Sequence, residues 1–563
     1  MKERNPIQDA VRYALTAGVA ASFASIPSMA FAQDGDEDVA EQGLIEVTGS
    51  RIKRVDVEGP SPVAIITRAD IENSGDISVA DVLRTSSYNQ FGSFRQSSGS
   101  SAQSQATISL RGLGATRTLI LLDGRRMAGS PSFGAGSAGN LNVIPIAAVE
   151  RIEILRDGAS AIYGSDAIGG VVNVILRKDY EGLQISAEIG RPSQSGGDEN
   201  AYSIVGGITS GKGNITFSLD HADSEIIFNG DRTFSEVGLS SFGFPGSFAI
   251  TDPGGAGSIG TFPDARCPNS INTDPTFANS QINTGNGLCN YNYAATSANE
   301  ASLTRDTMFV NANYQVNEDL NFFARGTFSR TESFGRYAPA PQVGGSPFLP
   351  TMSAANPNNP TAPGAYPLAG VASNYPLPFP GATDMSQFDT TGDGVPDVTG
   401  PFDLSIFYRN VPGGFRDSFV TTVLYDYLIG FEGSSDMFGG LDWDAGFQYS
   451  RQTNDDTSQG LVFRSGLQSA IDDGSFDIFN VQGNGTDASI AASFGHTGFH
   501  NEVHRIASGD FTATWDAFQM SAGPVPVALG VEYRDERFSQ DYDAQQNAGN
   551  VDGSAGGADV QGS

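Results

Sequence analysis

From about residue 183 onward, the chain alternates apolar and polar residues with a period of two, which predicts β-strands with two different faces. In Leu183–Ile189, for example, the odd positions are apolar and the even positions are polar. Each stretch has roughly the length of a tilted strand that crosses a bilayer, about ten residues. The other stretches are Ile215–Leu219, Met308–Val316, Leu320–Phe328, Val423–Phe431, Leu441–Tyr449 and Val525–Tyr533.

The connections between these stretches differ greatly in length. Asn317–Asp319 is short, whereas Ser224–Thr304 and Thr331–Pro401 are long. A membrane barrel has tight turns at one end and long loops at the other, which accounts for this asymmetry. A soluble β-sandwich would also alternate, but it would rarely contain connections of this length. The pattern therefore favours a membrane barrel over a soluble β-protein.

Residues 59–178 have the pattern of a small α/β domain. Thr67 and Ser78 each precede an acidic residue by three positions, which predicts two capped helices. Asp123-Gly124 predicts a hairpin turn, and the polar segment Ser87–Gln105 is predicted to be a loop. Taken alone, this unit would also fit an ordinary periplasmic domain. Its predicted strands are Val63–Thr67, Thr107–Leu110, Thr118–Leu122, Val149–Leu155 and Gly170–Leu176.

Residues 1–32 have the features of a cleaved signal peptide. A basic start precedes the short apolar run Ala14–Ala24, and the small residues around Phe31 fit a cleavage site. A buried N-terminal helix is the alternative, but the segment Asp34–Glu41 that follows is acidic and solvated. We therefore expect the protein to leave the cytoplasm.

Composition narrows the class of partners. The 563-residue chain has a formal net charge of −32, and nucleic acid is not a predicted partner because phosphate binding needs clustered Lys and Arg. The 69 glycines and the 10% of aromatic residues, with only 17% charged residues, fit β-strands joined by polar loops. After residue 33 no apolar run is long enough to predict a membrane helix.

Residues 44–178 closely resemble the N-terminal plug of TonB-dependent outer-membrane receptors. The matching segments are Glu46–Ile52, Ser78–Leu83, Ile108–Gly114, Thr118–Arg126 and, most specifically, Val149–Asn173. The resemblance implies a receptor in the outer membrane of a Gram-negative bacterium, which imports a scarce solute using force transmitted by TonB. It also implies a monomeric barrel in contact with lipid. Siderophores, glycans, vitamins and peptides all remain open as the solute.

The predicted fold is therefore mainly β: an α/β plug domain at residues 59–178, followed at residues 183–563 by an antiparallel transmembrane β-barrel. The resemblance implies a barrel of the 22-stranded type. Only about nine or ten strands are recognisable, and the chain stops at Ser563 without a terminal aromatic residue. We therefore expect a truncated barrel with long extracellular loops.

Residues 33–58 are predicted to form a flexible periplasmic segment that carries the TonB box. Main-chain pairing to a partner needs an extended strand and little side-chain specificity, and Val and Thr favour that conformation. A plain linker is the alternative. The candidate TonB-binding residues are Ile45, Glu46, Val47, Thr48, Gly49, Ser50 and Arg51.

Two plug arginines, Arg111 and Arg151, are the candidates for contact with the barrel. The resemblance suggests that plug arginines pair with carboxylates on the inner barrel wall. A bidentate arginine pair would hold the plug and could still be broken by pulling. Glu150 and Glu153 compete locally for these arginines, and solvated surface charge is the alternative.

The chain contains two cysteines, Cys267 and Cys289. In an exported protein this pair predicts one disulfide. The bond would restrain a loop of roughly 22 residues, which the entropic model values at about 3 kcal/mol. Free thiols or a zinc site are the weaker alternatives.

One loop has part of the pattern of a calcium site. Its residues occupy positions one, three, five and nine of a calcium-binding loop, but Gly400 stands where a bidentate Glu would be required. The alternative is a solvated Asp-Gly turn, and no other cofactor is predicted. The four candidate ligands are Asp389, Thr391, Asp393 and Asp397.

His496, His500 and His504 recur at every fourth position, which on a helix would suggest a metal site. Glycine interrupts this segment, so it is predicted to be a polar loop. The sequence contains no recognisable catalytic set, and the protein is not predicted to be an enzyme. Two alternatives to an energised importer remain: a passive outer-membrane adhesin and a secreted β-rich enzyme.

Overall fold

The computed structural model describes residues 63–562, except for the segments given at the end of this paragraph. The signal-peptide prediction and the candidate TonB box lie outside the described residues. The segments left out within this range are 100–101, 134–137, 157, 252–257, 271–276, 343–348, 366–385, 390–392, 438–439, 482–487, 522 and 554–558.

The plug domain is built on a five-stranded mixed sheet with the order β1-β4-β5-β2-β3. The pair β2 and β5 is parallel and the other neighbours are antiparallel. Buried apolar residues on β2, β4 and β5 form most of its core. The strands are β1 Val63–Thr67, β2 Thr118–Leu122, β3 Arg125–Arg126, β4 Val149–Leu155 and β5 Gly170–Leu176, and the helices are α1 Arg68–Ser74, α2 Val79–Thr85 and α3 Ser160–Tyr163.

Both predicted helix starts are confirmed. The Thr67 hydroxyl accepts the Asp70 N–H at 3.2 Å, and the Asp70 carboxylate accepts the Thr67 N–H at 2.9 Å. This reciprocal pair is a capping box, which satisfies donors that a helix start leaves unpaired. The Ser78 hydroxyl accepts the Asp81 N–H at 3.1 Å in the same way.

The predicted strand Thr107–Leu110 is wrong. Its backbone groups bond to different parts of the chain. The Thr107 N–H donates to the Phe94 carbonyl at 2.8 Å, and the Leu110 N–H donates to the Thr118 hydroxyl at 3.0 Å. One isolated bridge joins Leu110 to Asn89. The segment is buried and alternates apolar with polar residues, but it does not belong to a continuous ladder.

A second, much larger sheet follows the plug domain, and we call it the wall sheet. Its long strands are all antiparallel, and each pairs with its neighbours in the chain. A short strand at Val551–Asp552 also pairs with β12. The wall strands are β6 Gly182–Gly190, β7 Glu199–Ser210, β8 Gly213–Ser224, β9 Ser302–Asn317, β10 Leu320–Tyr337, β11 Arg416–Ser435, β12 Leu441–Phe463, β13 Gly495–Met520, β14 Gly523–Tyr542 and β15 Val560–Gly562.

The polarity of the two faces of the wall sheet is the reverse of that in a soluble protein, because the exposed face is apolar and the buried face is polar. Its outer face exposes large apolar side chains, such as Ile208 at 74% and Tyr533 at 75%. Its inner face buries polar side chains beneath the plug domain, including Thr216, Ser329 and Gln452. An apolar outer face and a polar inner face are typical of a barrel that spans a membrane. The prediction of a mainly β fold with a plug domain and a barrel sheet is confirmed.

Sequence periodicity underestimated the strands in two ways. Strands β10 to β14 have 18 to 26 residues, because they continue beyond the alternating segments into polar sequence. Strand β7 and most of β13 were not predicted at all. In particular, His496, His500 and His504 lie within β13 rather than in a loop, so the loop assignment is wrong.

The long connections at one end of the wall sheet fold into a cap with its own apolar core. This core combines residues from the connections β8–β9, β10–β11 and β12–β13, including Phe248, Tyr408 and Phe479. Arg409 is buried here, where it donates to the Pro339 carbonyl at 2.6 Å. Burial, reinforced by nearby Arg416, lowers the pKa of Arg409 to about 10.

The cap contains short strands and helices in addition to its core. A disulfide joins Cys267 to Cys289, with 5.9 Å between their Cα atoms. None of the helices among the described residues is long and apolar enough to cross a bilayer. The further strands after β8 are Ile227–Phe228, Leu239–Ser240, Ser247–Thr251, Ser258–Pro263, Ser280–Ile282, Cys289–Asn292, Ala298–Glu300, Thr351–Met352, Gln387–Phe388, Val398–Thr399 and Leu404–Phe407, and the further α-helices are α4 Arg464–Asp472, α5 Ala488–Ser493 and α6 Ala544–Asn547.

Replacing Cys267 and Cys289 by Ser is expected to loosen the cap while the wall sheet stays intact. The loss of loop restraint corresponds to about 3 kcal/mol, and the segment between the cysteines should become more sensitive to protease. Limited proteolysis with mass spectrometry would locate the cleavage. Cleavage at the same rate in the variant and the parent protein would show that the apolar core alone holds this segment.

Candidate functional site: the plug–wall interface

The candidate functional site is the surface where the plug domain meets the inner face of the wall sheet. The tip of the β2–β3 hairpin carries Asp123 and Arg125 into this interface. Asp123 adopts a positive φ of 50° and Gly124 one of 79°, which a tight hairpin turn requires. The Asn173 side chain holds the turn by accepting the Gly124 N–H at 2.9 Å. The hairpin therefore presents one acidic and one basic side chain at fixed positions.

Asp123 pairs with a basic residue of the wall. Arg325 on β10 donates to the Asp123 carboxylate at 2.7 Å and to the Leu122 carbonyl at 3.1 Å. Its other terminal nitrogen donates to Asp426 on β11 at 2.9 Å. The Arg325 side chain is only 1% exposed, so its charge depends on these two carboxylates.

Arg125 makes the opposite pairing, from the plug domain to acids of the wall. It binds both carboxylate oxygens of Asp510, at 3.0 and 2.8 Å, and one oxygen of Asp444 at 2.9 Å. A Cβ on Gly446 would lie only 2.9 Å from the guanidinium, so this glycine leaves room for it. Burial opposes the charge on Arg125, but the hydrogen bonds and charge of Asp510 and Asp444 outweigh it and raise the pKa.

A second group of contacts follows the chain after the hairpin. The Ala128 N–H donates to Ser450 at 2.8 Å, and the Gly129 N–H donates to Nδ1 of His504 at 2.9 Å. Since Nδ1 accepts the hydrogen bond of the Gly129 N–H, the ring proton lies on Nε2, which is 2.9 Å from Glu536. Two members of the predicted histidine series are thus buried in the wall, and His504 binds the plug backbone directly.

A third group of contacts lies nearer the cap. The Gln103 side chain donates to the carbonyls of Ser333 and Ser418 at 3.2 and 3.0 Å. The hydroxyls of Ser104 and Thr422 are 2.7 Å apart. These contacts join the plug loop to β10 and β11, so one domain touches several wall strands through polar groups.

Apolar contacts across the interface are few by comparison. Phe309 on β9 and Leu424 on β11 pack into the apolar core of the plug domain. The Arg125 guanidinium also lies over the Phe323 ring of β10, 5.6 Å from the ring centroid. The other contacts described above are hydrogen bonds and ion pairs, whose groups can exchange their partners for water. An interface of this kind resembles a separable association more closely than the fixed core of one domain.

A cavity of about 270 Å³ remains between the plug domain and strands β13 and β14. Arg126 and Asp166 line its plug side and are paired at 2.6 Å. Arg534 and Glu536 line its wall side, 3.5 Å apart. Its charges are balanced, and it shows that the plug domain does not fill the whole inner face.

The contacts described for Arg111 and Arg151 lie inside the plug domain. Arg111 has a positive φ of 56° and donates to the Gly169 carbonyl at 3.0 Å and to the Ile168 carbonyl, both inside the plug domain. Arg151 pairs at 2.8 Å with Glu153 on the same strand. Glu153 is one of the two glutamates that were expected to compete locally for this arginine. Among the described contacts, Arg125 of the plug domain and Arg325 of the wall sheet form ion pairs across the interface, and a wall contact of Arg111 or Arg151 stays a prediction.

The remaining candidates are located as follows. Ile45–Arg51 lies outside the described residues, and so does Thr391. The Asp389 carboxylate accepts the Gly394 N–H at 2.6 Å, and Asp393 accepts the Val395 N–H at 2.9 Å. Within the described part of the chain no group of three or more potential metal ligands is present, so calcium binding stays an untested prediction.

The sequence did contain a signal for the residues that were missed. Asp123 and Arg125 flank the glycine of a predicted turn. Arg325 occupies one of the polar positions of the alternating segment Leu320–Phe328. A charged residue on the inner face of a strand needs an opposite charge across the interface. What the sequence could not give was the pairing, because the partners lie about 200 to 385 residues apart along the chain.

A plug domain packed against the polar face of a sheet whose other face is apolar is the arrangement of a plugged barrel. Residues 56–171 match the family model of the TonB-dependent receptor plug domain. The chain therefore carries the plug of the TonB-dependent receptors, and the family prediction is confirmed.

Solved structures of similar proteins include the ferric enterobactin receptor PfeA from Pseudomonas aeruginosa, at 14% identity and a TM-score of 0.40, covering 87% of this chain and 56% of that one. The ferric citrate transporter FecA has 11% identity and a TM-score of 0.40, covering 90% and 59%. BauA, the ferric preacinetobactin receptor from Acinetobacter baumannii, has 11% identity and a TM-score of 0.40, covering 86% and 59%. This chain thus spans less than two thirds of each.

Replacing Arg125 by Gln is expected to weaken the attachment of the plug domain to the wall sheet. The change leaves Asp444 and Asp510 without their cation, and losing one partner of a largely buried ion pair costs about 3 kcal/mol. Hydrogen exchange measured by mass spectrometry should show faster exchange at the β2–β3 hairpin.

Arg126→Gln is the matched control, because the neighbouring Arg126 pairs with Asp166 inside the plug domain. Combining Arg125→Gln with Asp444→Asn and Asp510→Asn should recover part of the loss, since no uncompensated charge remains. Equal exchange in the Arg125 and Arg126 variants would refute the assignment of Arg125 as an anchor.

Proposed function

We propose that this protein is an energised importer of the outer membrane, in which the plug domain moves relative to the wall sheet to admit a scarce solute. The observation that carries the proposal is the polar plug–wall interface with its reciprocal ion pairs. Such pairs hold the domain at rest, and they can be exchanged for water when force is applied. An interface built from apolar side chains would oppose separation more strongly.

The force would be supplied by TonB through the segment Ile45–Arg51, which has the sequence of an extended, accessible strand. Main-chain pairing of that strand with TonB would transmit tension to β1 and the rest of the plug sheet. We propose the outer membrane of a Gram-negative bacterium as the location, and the apolar outer face of the wall sheet supports lipid contact. The solute class stays open between siderophores, glycans, vitamins and peptides.

Crosslinking the plug domain to the wall sheet is expected to abolish uptake. Ser104 and Thr422 are suitable, because their hydroxyl oxygens are 2.7 Å apart and cysteine side chains at such positions can form a disulfide. The variant Ser104→Cys/Thr422→Cys should bind solute but import none when oxidised, and import should return after reduction.

A crosslink within the wall sheet provides the control. Thr422 and Asn454 are paired in register on β11 and β12, so Thr422→Cys/Asn454→Cys leaves the plug domain free and should permit uptake. The parent protein with and without reductant controls for the bond between Cys267 and Cys289. Undiminished uptake by the oxidised Ser104–Thr422 variant would contradict a moving plug.

Deleting Ile45–Arg51 is expected to eliminate uptake while surface binding of the solute is retained. This outcome follows because the segment lies before the plug domain and would transmit force without contributing to the binding surface. A passive adhesin would be unaffected by the deletion. Radiolabelled solute measured separately in bound and imported fractions would decide between the two functions.

A further inference from the structure

Three arginines stand side by side on the outer face of the wall sheet. Arg451 on β12 is paired in register with Arg505 on β13, and Arg505 is paired in register with Arg537 on β14. All three belong to the outward positions of their strands, since the neighbouring residues Gln452 and His504 are buried on the inner face. We call these three residues the arginine row.

The arginine row lies at the border of the apolar belt. Along β12, the outward positions from the short-turn end are Leu441, Trp443, Ala445, Phe447 and Tyr449, and Arg451 comes next. Ten residues of a strand tilted by about 40° rise roughly 26 Å, which matches the apolar band of about 25 Å in outer-membrane barrels. The row is therefore placed at the height where hydrocarbon gives way to polar headgroups.

The charges of the row are not balanced within the described part of the chain. Asp535 accepts from Arg505 at 3.1 Å and lies 3.2 Å from Arg537. Arg451 forms no ion pair with the described residues. Three guanidinium groups thus share one carboxylate, in a protein whose formal net charge is −32. Like charges directly opposite each other on adjacent strands destabilise a sheet, so the arrangement calls for an external anion.

We propose that the arginine row binds the phosphate of an anionic lipid headgroup in the leaflet at the cap end of the wall sheet. Guanidinium groups match phosphate geometry through paired N–H donors. Exposed apolar side chains further along the same strands, including Phe447 and Tyr533, would pack against the acyl chains. The inference rests on the proposed function only in requiring that the wall sheet faces lipid.

The test uses the full-length protein, delipidated in a neutral detergent, with dioleoyl phosphatidic acid as the probe. Native mass spectrometry would compare its binding with that of dioleoyl phosphatidylcholine and with inorganic phosphate alone. Arg451→Gln/Arg505→Gln/Arg537→Gln should weaken phosphatidic acid binding by about tenfold or more, since each arginine near an anionic headgroup contributes. Phosphatidylcholine binding should be unchanged, and the lipid-free variant should melt at a higher temperature because repulsion is removed.

Arg330→Gln is the matched control, because Arg330 is an outward arginine on β10 that pairs with Glu332. It should bind phosphatidic acid like the parent protein. Equal binding by the triple variant, an equal loss in the Arg330 variant, or equal stabilisation by inorganic phosphate alone would each overturn the proposal. Failure of the parent protein to insert into phosphatidylcholine vesicles would instead refute the membrane location, which separates the two failures.

Discussion

The polar inner face of the wall sheet is the constraint on which the other features depend. Residues such as Arg325, Thr422 and His504 are buried there and bind groups of the plug domain, and a buried polar group without a partner costs about 1–3 kcal/mol. Only a polar surface or water can satisfy such a face. The plug domain therefore meets the wall with backbone N–H groups, hydroxyls and charges, while its apolar residues are kept for its own core. The polar attachment of the plug domain therefore follows from the polar inner face of the wall sheet.

The ion pairs at the hairpin tip specify position more than they stabilise. Desolvating two charges offsets much of their attraction, so a buried pair contributes little net stability although losing one partner is costly. The two pairs run in opposite directions, with Asp123 meeting a wall arginine and Arg125 meeting wall carboxylates. A hairpin shifted by two residues would place like charges together, with Arg125 facing Arg325 or Asp123 facing Asp510. The pairs thus select one seating of the plug domain.

The sequence predicted the parts of the fold that depend on local pattern. The helix caps at Thr67 and Ser78, four of the five predicted plug strands and the alternating segments of seven wall strands follow from nearby residues. Strand β13 was missed because its outward positions include Arg505, Ala507 and Gly509, which weaken the apolar signal. The sequence alone could not identify which plug arginines contact the wall sheet. Arg111 and Arg125 are the same residue type, and only the folded structure determines what each side chain contacts. Pairing across hundreds of residues depends on the assembled topology.

The wall strands are long enough to extend past the apolar belt and to join the cap. A strand needs about ten residues to cross a bilayer, whereas β13 has 26, so the excess extends the sheet beyond the apolar belt. The core of the cap includes Val462 at the end of β12 and Phe494 just before β13. Because these residues are continuous with the wall strands, the core of the cap is anchored directly to the wall sheet. A displaced plug domain would therefore move against both, and the polar contacts are the ones that must break.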